Sequence, residues 1–428
     1  MTYLETLDYL YSRLPMFTRI GAAAMKKDLH NTIVMCENLG NPQDKFKTIH
    51  VGGTNGKGST SHMLAAVLQQ AGYKTGLYTS PHLKDFRERI RINGEMISES
   101  FVTTFTAEQQ ELIESISPSF FEVTVAMAFE YFAVEKVDVA IIEVGLGGRL
   151  DSTNIINPEL SVITNISLDH TNLLGHTLVE IATEKAGIIK HGVPVVIGER
   201  QEEVAHIFIE KAHQRLSELV FANTALRVAD VHHKAHLLTA SVFEGNELLF
   251  ENIKLDLTGT YQLKNVLTVI ESIKVLNLRG FRIPDAAVFS ALENTVKLTG
   301  LQGRWQTLSD HPLVICDTGH NIAGIQEVLE NISTTPHKQL HIVMGMLKDK
   351  DVTSVLQLLP TTAKYYFCQP DLERAMPASE LAGKASELHL YGEVYENVKS
   401  ALTSAKNQAN TDDLIFIGGS TFIVAEVL

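Results

Sequence analysis

The sequence predicts an α/β protein with an N-terminal doubly wound, mostly parallel sheet of the P-loop type and a smaller C-terminal α/β domain of the Rossmann-like type. Three observations predict this fold class. Short runs rich in valine and isoleucine alternate with helical periodicity along much of the chain, which is typical of buried parallel strands in α/β proteins. The length of 428 residues suits two or three domains. Two glycines interrupt a helical pattern near residue 298, and a second alternation follows them.

The elements follow from local periodicity. The stretch Ser59–Ala71 places its apolar side chains on one helical face. The hairpin-like stretch Leu237–Leu257 interrupts the alternation, and we expect it at a sheet edge. The boundary near residue 298 predicts domains of residues 1–297 and 298–428. The predicted strands are Thr48–Val51, Thr75–Tyr78, Val137–Ile142, Leu160–Ile163 and Pro194–Ile197 in the first domain, and Leu313–Cys316, Leu340–Met344, Tyr365–Cys368 and Leu414–Ile417 in the second.

Composition and charge exclude several classes of protein. Apolar residues make up 45% and charged residues 20%, which is ordinary for a globular chain and excludes a disordered, coiled-coil or collagen-like protein. The formal charge of −14 repels phosphate backbones, so we expect no nucleic-acid partner. Cys36, Cys316 and Cys368 lack metal-ligand spacing and suit a reducing compartment. With neither a signal peptide nor an apolar run of about 18 residues, we expect a cytoplasmic protein that does not bind membranes.

The strongest local signal is the glycine-rich segment that links a predicted strand to the helix at Ser59. It reads His50-Val51-Gly52-Gly53-Thr54-Asn55-Gly56-Lys57-Gly58-Ser59-Thr60. In this context backbone N–H groups close around phosphate oxygens, and the lysine supplies positive charge to the outer phosphates. The strict Walker A spacing fails, because Val51 takes the place of the first glycine and Gly58 separates Lys57 from Ser59. A glycine-rich turn without nucleotide is the alternative, and the strand and helix on either side favour a phosphate loop.

The compact form Gly-Thr-Asn-Gly-Lys-Gly-Ser resembles the ATP loop of the Mur ligase superfamily. Further motifs follow in the order typical of one family within it: Thr79-Ser80-Pro81-His82-Leu83, Glu88-Arg89-Ile90-Arg91-Ile92-Asn93-Gly94, Glu143-Val144-Gly145-Leu146-Gly147-Gly148-Arg149-Leu150-Asp151, Asp169-His170, Glu184-Lys185-Ala186-Gly187-Ile188, Gly303-Arg304-Trp305 and Asp317-Thr318-Gly319-His320-Asn321. With these motifs the chain resembles the folylpolyglutamate synthase and dihydrofolate synthase family. The resemblance implies that Thr54, Asn55, Gly56, Lys57, Gly58 and Ser59 bind ATP.

Four residues are candidates for binding two Mg²⁺ ions. Glu143 ends a predicted strand, and a carboxylate there, facing a phosphate loop, is a usual Mg²⁺ ligand, although it could be a solvated strand-end acid. The resemblance implies that Ser80 completes this first site. It also implies that His170 binds a second Mg²⁺, although a lone histidine is more often structural. Asp169 could orient His170 or cap a helix.

Lys185 lies in a predicted helix, where a surface or salt-bridged lysine is the ordinary interpretation. The resemblance implies that Lys185 is carbamylated by CO₂. Carbamylation turns a cation into an anion, which suits a position beside the second Mg²⁺ near the ATP phosphates. By the same resemblance, Lys57, Lys185 and His170 form the catalytic set.

Further contacts with ATP and glutamate are implied around the domain boundary. The resemblance implies that Asn265, Arg304, Asp317 and His320 contact ATP, and the planar guanidinium of Arg304 suits a phosphate. Arg304 could instead form a surface ion pair, and Asp317 could begin a turn or cap a helix. The run Lys348-Asp349-Lys350-Asp351 either meets the carboxylates of glutamate or is a solvated helix start.

For a pterin-bearing substrate, the resemblance implies contacts from Arg19, Gly21, Phe121, Glu122 and Asp151. A ring can stack on the phenylalanine while carboxylates pair with the aminopterin edge; Phe120 and Phe121 could equally be core residues at a helix start. Three departures from the family pattern are Gln302 for proline, Thr318-Gly319 for Gly-Ala, and Arg87 for asparagine.

The resemblance implies an ATP-dependent amide ligase of folate biosynthesis and one-carbon metabolism, active as a monomer. A substrate carboxylate attacks the γ-phosphate, and the amine of L-glutamate then displaces phosphate from the acyl phosphate. The acceptor is dihydropteroate, (tetrahydro)folate or both; an enzyme restricted to polyglutamylation is the alternative. Only about 50 residues precede Gly53, too few for the UDP-sugar domain of a cell-wall Mur ligase. A nucleotide-dependent switch would need neither two metal sites nor a second domain.

Overall fold

The computed structural model describes residues 1–21, 26, 28–234 and 236–428. The chain forms two compact units. The first comprises Met1–Asp256 and Gln262–Leu301, and the second comprises Leu257–Tyr261 and Gln302–Leu428. Within the described part of the chain, no helix has the length and apolar composition needed to cross a membrane.

The first unit is built on an eight-stranded sheet with the order β4-β3-β2-β5-β1-β6-β7-β8. Its pairs are parallel except at one end, where β3 pairs antiparallel with both β2 and β4. The strands are β1 Lys47–Gly52, β2 Thr75–Tyr78, β3 Ile90–Ile92, β4 Glu95–Met96, β5 Val139–Glu143, β6 Leu160–Ile163, β7 Val195–Ile197 and β8 Leu219–Phe221.

Helices surround this sheet, and α4 is the most deeply buried of them. Its residues from Ser59 to Leu68 are all buried, because α4 contacts β5 on one side and α11, α12 and α13 on the others. The helices are α1 Tyr3–Arg13, α2 Phe17–Ile20, α3 His30–Asn38, α4 Lys57–Gln70, α5 Glu99–Ile116, α6 Phe120–Val134, α7 Thr171–Leu174, α8 Leu178–Lys185, α9 Ala205–Gln214, α10 Ala222–Ala225, α11 Gln262–Leu278, α12 Asp285–Leu292 and α13 Thr295–Thr299.

The predicted hairpin forms and lies at a sheet edge as expected, but the sheet is separate from the eight-stranded one. Strands β10 (Leu237–Glu244) and β11 (Glu247–Leu255) join β9 (Leu226–Lys234) in a separate antiparallel sheet of three strands. The missed partner β9 is mostly exposed along its second half and contains Asp230, His232, His233 and Lys234. A strand of this composition shows almost no apolar periodicity, so the sequence did not predict the strand that pairs with the hairpin.

The second unit contains a six-stranded sheet with the order β12-β13-β17-β14-β15-β16. All its pairs are parallel except β12 with β13. The four strands predicted here are confirmed within one residue at each end, and the two missed strands are the polar edge strands β12 and β16. The elements are β12 Gln306–Asp310, β13 Leu313–Cys316, α14 Ile322–Thr334, β14 Leu340–Met344, α15 Val352–Leu358, β15 Lys364–Phe367, α16 Ala378–Glu387, β16 Gly392–Val394, α17 Val398–Gln408, β17 Leu414–Gly418 and α18 Thr421–Ala425.

Candidate active site

The glycine-rich loop lies between the end of β1 and the start of α4, and two of its glycines are required by close contacts. Gly53 has a φ of +133°, and a Cβ there would lie 1.9 Å from Thr164 Oγ1. Gly56 has a φ of +85°, and a Cβ there would lie 2.3 Å from Asn265 Oδ1. A side chain at either position would therefore have to displace Thr164 or Asn265, in a backbone conformation that residues other than glycine rarely adopt. The first-turn N–H groups of α4 have no intrahelical partner.

The segment that follows β6 shapes this loop through hydrogen bonds. Thr54 N donates to Asn165 O at 2.8 Å, and Asn55 N donates to Asn165 Oδ1 at 3.0 Å. The hydroxyl of Thr164 donates to Asn55 O at 2.5 Å. Ser167 N donates to Thr54 Oγ1 at 3.0 Å. Thr164 and Asn165 were not predicted as site residues, although both come directly after the predicted strand Leu160–Ile163.

Two lysine side chains meet at one carbonyl oxygen of the loop. Lys185 Nζ donates to Gly53 O at 2.7 Å, and Lys57 Nζ donates to the same oxygen at 3.2 Å and to Thr54 O at 3.0 Å. Lys185 is 4% exposed. Its burial, and then the positive charge of Lys57, lower the pKa of Lys185 from 10.5 to about 7, against the opposing charges of Asp169 and Asp151. The amine of Lys185 therefore loses its proton more readily than that of an exposed lysine.

Glu143 and Ser80 lie together, as the predicted first metal site requires. Glu143 ends β5 and is 4% exposed, and its Oε2 accepts a hydrogen bond from Ser80 N at 3.0 Å. Carboxylate and hydroxyl oxygens are hard donors that suit Mg²⁺. Across the described ranges, no group of three or more His, Cys, Asp or Glu side chains has metal-binding geometry. The Glu143 carboxylate and the Ser80 hydroxyl are oxygen donors of the kind that Mg²⁺ takes when phosphates and water supply its other ligands.

His170 has left-handed backbone geometry, with a φ of 49°, at the start of the short helix α7. Its N–H donates to Asp169 Oδ1 at 2.8 Å, and its ring lies edge-on to Phe17 with centroids 5.5 Å apart. Asp169 thus orients the backbone of His170, and its charge also acts on Lys185. The role of His170 as a metal ligand stays a prediction.

The first turn of α11 reaches the start of α4. Gln262 Nε2 donates to Ser59 Oγ at 3.1 Å, and Asn265 Nδ2 donates to Gln262 Oε1 at 2.8 Å. Both α11 side chains are buried. Asn265, a predicted ATP contact, therefore touches the glycine-rich loop at Gly56, while Gln262 was missed because a glutamine at a helix start carries no distinctive sequence signal.

In the second unit, the predicted nucleotide residues Arg304 and His320 both contact Thr318, which directly follows Asp317. The buried carboxylate of Asp317 accepts hydrogen bonds from Tyr261 Oη at 2.5 Å, Trp305 N at 2.7 Å and Gly319 N at 2.8 Å. Burial raises the pKa of Asp317, and burial together with the Asp317 charge raises that of Tyr261. A guanidinium N–H of Arg304 donates to the hydroxyl of Thr318, one of the departures from the family pattern. His320 Nδ1 lies 3.0 Å from the carbonyl oxygen of Thr318.

The charged run that begins at Lys348 is partly occupied by structural contacts. Asp349 forms an ion pair with Arg374. Asp351 caps α15 by accepting from Ser354 N at 3.1 Å, so the helix-start interpretation describes that residue. A role of the lysines with glutamate stays a prediction.

Phe121 and Asp151 meet at the loop that follows β5. Phe121 is half-buried at the start of α6, with its ring centroid 6.1 Å from that of Tyr78. A Cβ on Gly145 would lie 2.5 Å from Phe121 Cζ and 3.2 Å from Asp151 Oδ2. Asp151 accepts from Leu146 N at 2.8 Å and from the N–H and hydroxyl of Thr153 at 3.0 and 2.5 Å. The carboxylate of Asp151 therefore fixes the loop beside the ring.

The other predicted substrate residues make capping contacts. Glu122 is 2% exposed, and its Oε2 accepts from Ser119 N at 2.6 Å in a capping box at the start of α6. Within the described residues, its buried Oε1 has no hydrogen-bond partner. Arg19 donates to Tyr11 O, near the end of α1, at 2.8 Å. Gly21 ends α2 with a φ of 63°. Glu122 therefore offers a buried side-chain oxygen that has no hydrogen-bond partner among the described residues.

Comparison with known proteins identifies both parts of the chain. Residues 51–273 match the Mur ligase middle domain, and residues 303–421 match the Mur ligase glutamate ligase domain. The chain is 33% identical to the dihydrofolate synthase/folylpolyglutamate synthase of Bacillus subtilis (strain 168), over 99% of this chain and 98% of the relative. It is 32% identical to the folylpolyglutamate synthase of Lacticaseibacillus casei, over 100% of this chain and 98% of the relative.

A solved structure shares the fold over the whole length. The structure of E. coli FolC in complex with DHPP and ADP superposes with a TM-score of 0.87 at 28% identity, and covers 100% of this chain and 97% of that one. The similarity thus extends over both Mur ligase domains at once. The chain belongs to the folylpolyglutamate synthase/dihydrofolate synthase family of the Mur ligases.

Proposed function

We propose that this protein is an ATP-dependent ligase that adds L-glutamate to dihydropteroate and to (tetrahydro)folate through an acyl phosphate. The observation that carries the proposal is the meeting of Lys57 and Lys185 at the carbonyl oxygen of Gly53, inside a glycine-rich loop that opens a buried helix. The whole-length similarity to synthases of both names supports the same chemistry. The alternative is an enzyme that extends folates only, as the name of the Lacticaseibacillus casei relative indicates.

In the proposed reaction, ATP binds with its phosphates at the start of α4. Lys57 supplies positive charge to the outer phosphates, and the N–H groups of the first helical turn donate to phosphate oxygens. An oxygen of the substrate carboxylate attacks the γ-phosphorus, the bond to the β,γ-bridging oxygen breaks, and ADP leaves. The neutral amine of glutamate then attacks the acyl carbon, so that an amide and inorganic phosphate form and the amine loses a proton.

Two Mg²⁺ sites are proposed beside these phosphates. Glu143 and Ser80 would hold the first ion, and His170 and Lys185 the second. When bound, the ions would neutralise phosphate charge and orient the reacting oxygens. Glu143→Gln should raise the Mg²⁺ concentration needed for half-maximal activity about tenfold or more, since it removes an anionic ligand. An unchanged Mg²⁺ requirement would contradict the assignment.

Lys185 is proposed to be carbamylated. Its neutral amine attacks the carbon of CO₂ and loses a proton, and the product is an anionic carbamate. The lowered pKa supports this step, because only the unprotonated amine reacts. Carbamylation would also replace the repulsion between the two ammonium groups with an attraction. With ¹³C-bicarbonate, a carbamate NMR signal should appear in the wild type and in Lys190→Met, and disappear in Lys185→Met; a signal that persists in Lys185→Met contradicts the proposal.

The pterin ring is proposed to stack on Phe121, with Glu122, Asp151, Arg19 and Gly21 around it. Residues 298–428 are proposed as the domain that binds glutamate, and its residues Arg304, Asp317 and His320 as nucleotide contacts. The half-buried ring of Phe121, against the loop fixed by Asp151, is the contact that supports the pterin assignment. The active form is proposed to be a monomer in the cytoplasm, which does not bind nucleic acid or membranes.

The experiment is the measurement of ADP release and amide product by the purified protein with Mg-ATP and L-glutamate. Dihydropteroate and tetrahydrofolate are compared as acceptors, and omission of glutamate is the control. Glutamate-dependent turnover of both acceptors is the expected result. Turnover of tetrahydrofolate alone would support the alternative, and ADP release that is indifferent to glutamate would refute the ligase function.

A further inference from the structure

A carboxylate outside the predicted site contacts the glycine-rich loop through one intermediate side chain. Glu199 lies two residues after β7, and its N–H donates to Thr164 O at 3.0 Å. Its Oε1 accepts from Asn165 Nδ2 at 3.0 Å. The other end of the same amide, Asn165 Oδ1, accepts from Asn55 N at 3.0 Å. Asn165 thus bridges Glu199 and the glycine-rich loop.

The two ends of this bridge permit only one orientation of the Asn165 amide. A carboxylate accepts hydrogen bonds and cannot donate them, whereas a backbone N–H donates and cannot accept. The NH₂ group must therefore face Glu199, and the carbonyl oxygen must face Asn55. If the acceptor at Glu199 were removed, the amide would lose the partner that fixes its orientation.

Other contacts hold the backbone of the segments after β6 and β7. The orientation of the Asn165 amide therefore depends on the two groups it bonds, the Glu199 carboxylate and the backbone N–H of Asn55. Gln201 accepts from Ile166 N and donates to Ile166 O, both at 2.8 Å. A Cβ on Gly198 would lie 2.5 Å from Thr164 O, which shows how closely the segment after β7 packs against the segment after β6. Lys264 Nζ lies 3.8 Å from Glu199 Oε2 and balances its negative charge.

We propose that Glu199 is a positioning residue for the nucleotide loop. By fixing the Asn165 amide, Glu199 directs the N–H of Asn55 away from the nucleotide. The loop then curves so that the N–H groups after Asn55 can donate to phosphate oxygens. This inference rests on the proposed ATP site. Glu199 touches neither nucleotide nor substrate and acts through Asn165.

The test is a double-mutant cycle in which titration calorimetry measures the Kd for Mg-ATP. Asn165→Asp keeps the acceptor for Asn55 N–H but sets a second carboxylate against Glu199, and we expect Mg-ATP binding to weaken about tenfold or more. Glu199→Gln in the same chain offers an NH₂ donor to the new carboxylate, and should restore the Kd to within about threefold of the wild type.

Glu202→Gln is the matched control for the removal of charge. Glu202 lies three residues further along, exposed and paired with Arg200 at 2.8 Å, so Glu202→Gln in the Asn165→Asp background should restore nothing. Equal rescue by both second substitutions, or no rescue by Glu199→Gln, would overturn the inference. If Asn165→Asp does not fold, Glu199→Ala should weaken Mg-ATP binding about tenfold while Glu202→Ala leaves it unchanged, and equal affinities would overturn it.

Binding of Mg-ATP to the wild type distinguishes a failure of this inference from a failure of the proposed function. If the wild type does not bind Mg-ATP, the proposed ATP site fails, and the inference fails with it. If the wild type binds Mg-ATP and the cycle shows no specific rescue, only the role of Glu199 fails.

Discussion

Substitution of Gly56 by alanine tests whether the close approach of Asn265 shapes the nucleotide loop. Gly56 precedes α4 with a φ of +85°, and an added Cβ would lie 2.3 Å from Asn265 Oδ1 and 3.3 Å from its Cγ. Gly72, at the other end of the same helix, has a φ of +92° and no atom within 4 Å of its added Cβ. The pair therefore separates the cost of the backbone conformation from the cost of the contact.

The expected magnitudes follow from these two contributions. A left-handed backbone costs an alanine about 1–2 kcal/mol, and both variants should lose this much stability. Only Gly56→Ala must also displace Asn265, which is 5% exposed and donates to Gln262 at 2.8 Å; the lost hydrogen bond adds about 1 kcal/mol. Because the displaced side chain lies against the loop, Mg-ATP binding should weaken about tenfold or more.

Urea denaturation gives the free energies of unfolding, and calorimetric titration with Mg-ATP gives the Kd. Gly72→Ala should bind Mg-ATP like the wild type despite its lower stability. If Gly56→Ala also binds like the wild type, or if Gly72→Ala loses as much affinity, the loop does not depend on the contact with Asn265.

Three further predictions concern buried polar groups. In CO₂-free buffer Lys185 is a free amine, and its pKa falls from 10.5 to about 7 on folding. The unfolded chain then binds more protons at this group between these values, so the contribution of Lys185 to the free energy of unfolding rises with pH from about 7 to 10; Lys185→Met should flatten the pH dependence by this contribution in urea denaturation. Asp151→Asn should cost about 1–3 kcal/mol of stability, because its amide cannot accept all the donors from Leu146 and Thr153. Tyr261→Phe leaves Asp317 without one donor and should cost about 1 kcal/mol in the same measurement.

Each of these three predictions has a matched control variant and an outcome that would contradict it. Lys84→Met, at an exposed position, should leave the pH dependence unchanged, and an equal flattening would contradict the burial of charge at Lys185. Asp412→Asn, whose carboxylate is exposed and paired with Lys338 at 2.7 Å, should cost little, and an equal loss would refute the role of Asp151. Tyr391→Phe, at an exposed tyrosine, should be neutral, and a neutral Tyr261→Phe would show that its hydrogen bond to Asp317 does not stabilise the fold.

Strong periodicity made much of the fold predictable. The buried strands at Thr75–Tyr78, Leu160–Ile163 and Leu340–Met344 have the predicted bounds, because near-continuous apolar runs mark strands covered on both faces. Short or polar strands such as β9 and β12 were missed, since their residues face solvent or carry mixed side chains. Local patterns cannot show which partner such a strand pairs with.

The candidate site was predictable where a motif marks it. Lys185 contacts the glycine-rich loop, and Glu143 contacts Ser80, all of which the motifs marked; their roles in binding ATP and Mg²⁺ stay predictions. The supporting side chains were not predictable, because Asn165, Glu199 and Gln262 are ordinary polar residues until the fold brings strand ends and a helix start to one place. Arg19, which the resemblance assigned to the substrate, donates to Tyr11 O near the end of α1, and its contact with the substrate stays a prediction.

The activation of a carboxylate by phosphoryl transfer is the central claim, and transfer of ¹⁸O tests it most directly. Acceptor labelled with ¹⁸O in its carboxylate is incubated with Mg-ATP and L-glutamate, and the inorganic phosphate is analysed by mass spectrometry. An acyl phosphate intermediate predicts one ¹⁸O atom in each phosphate released with amide product. Unlabelled phosphate, in a reaction that still forms the amide, would contradict it.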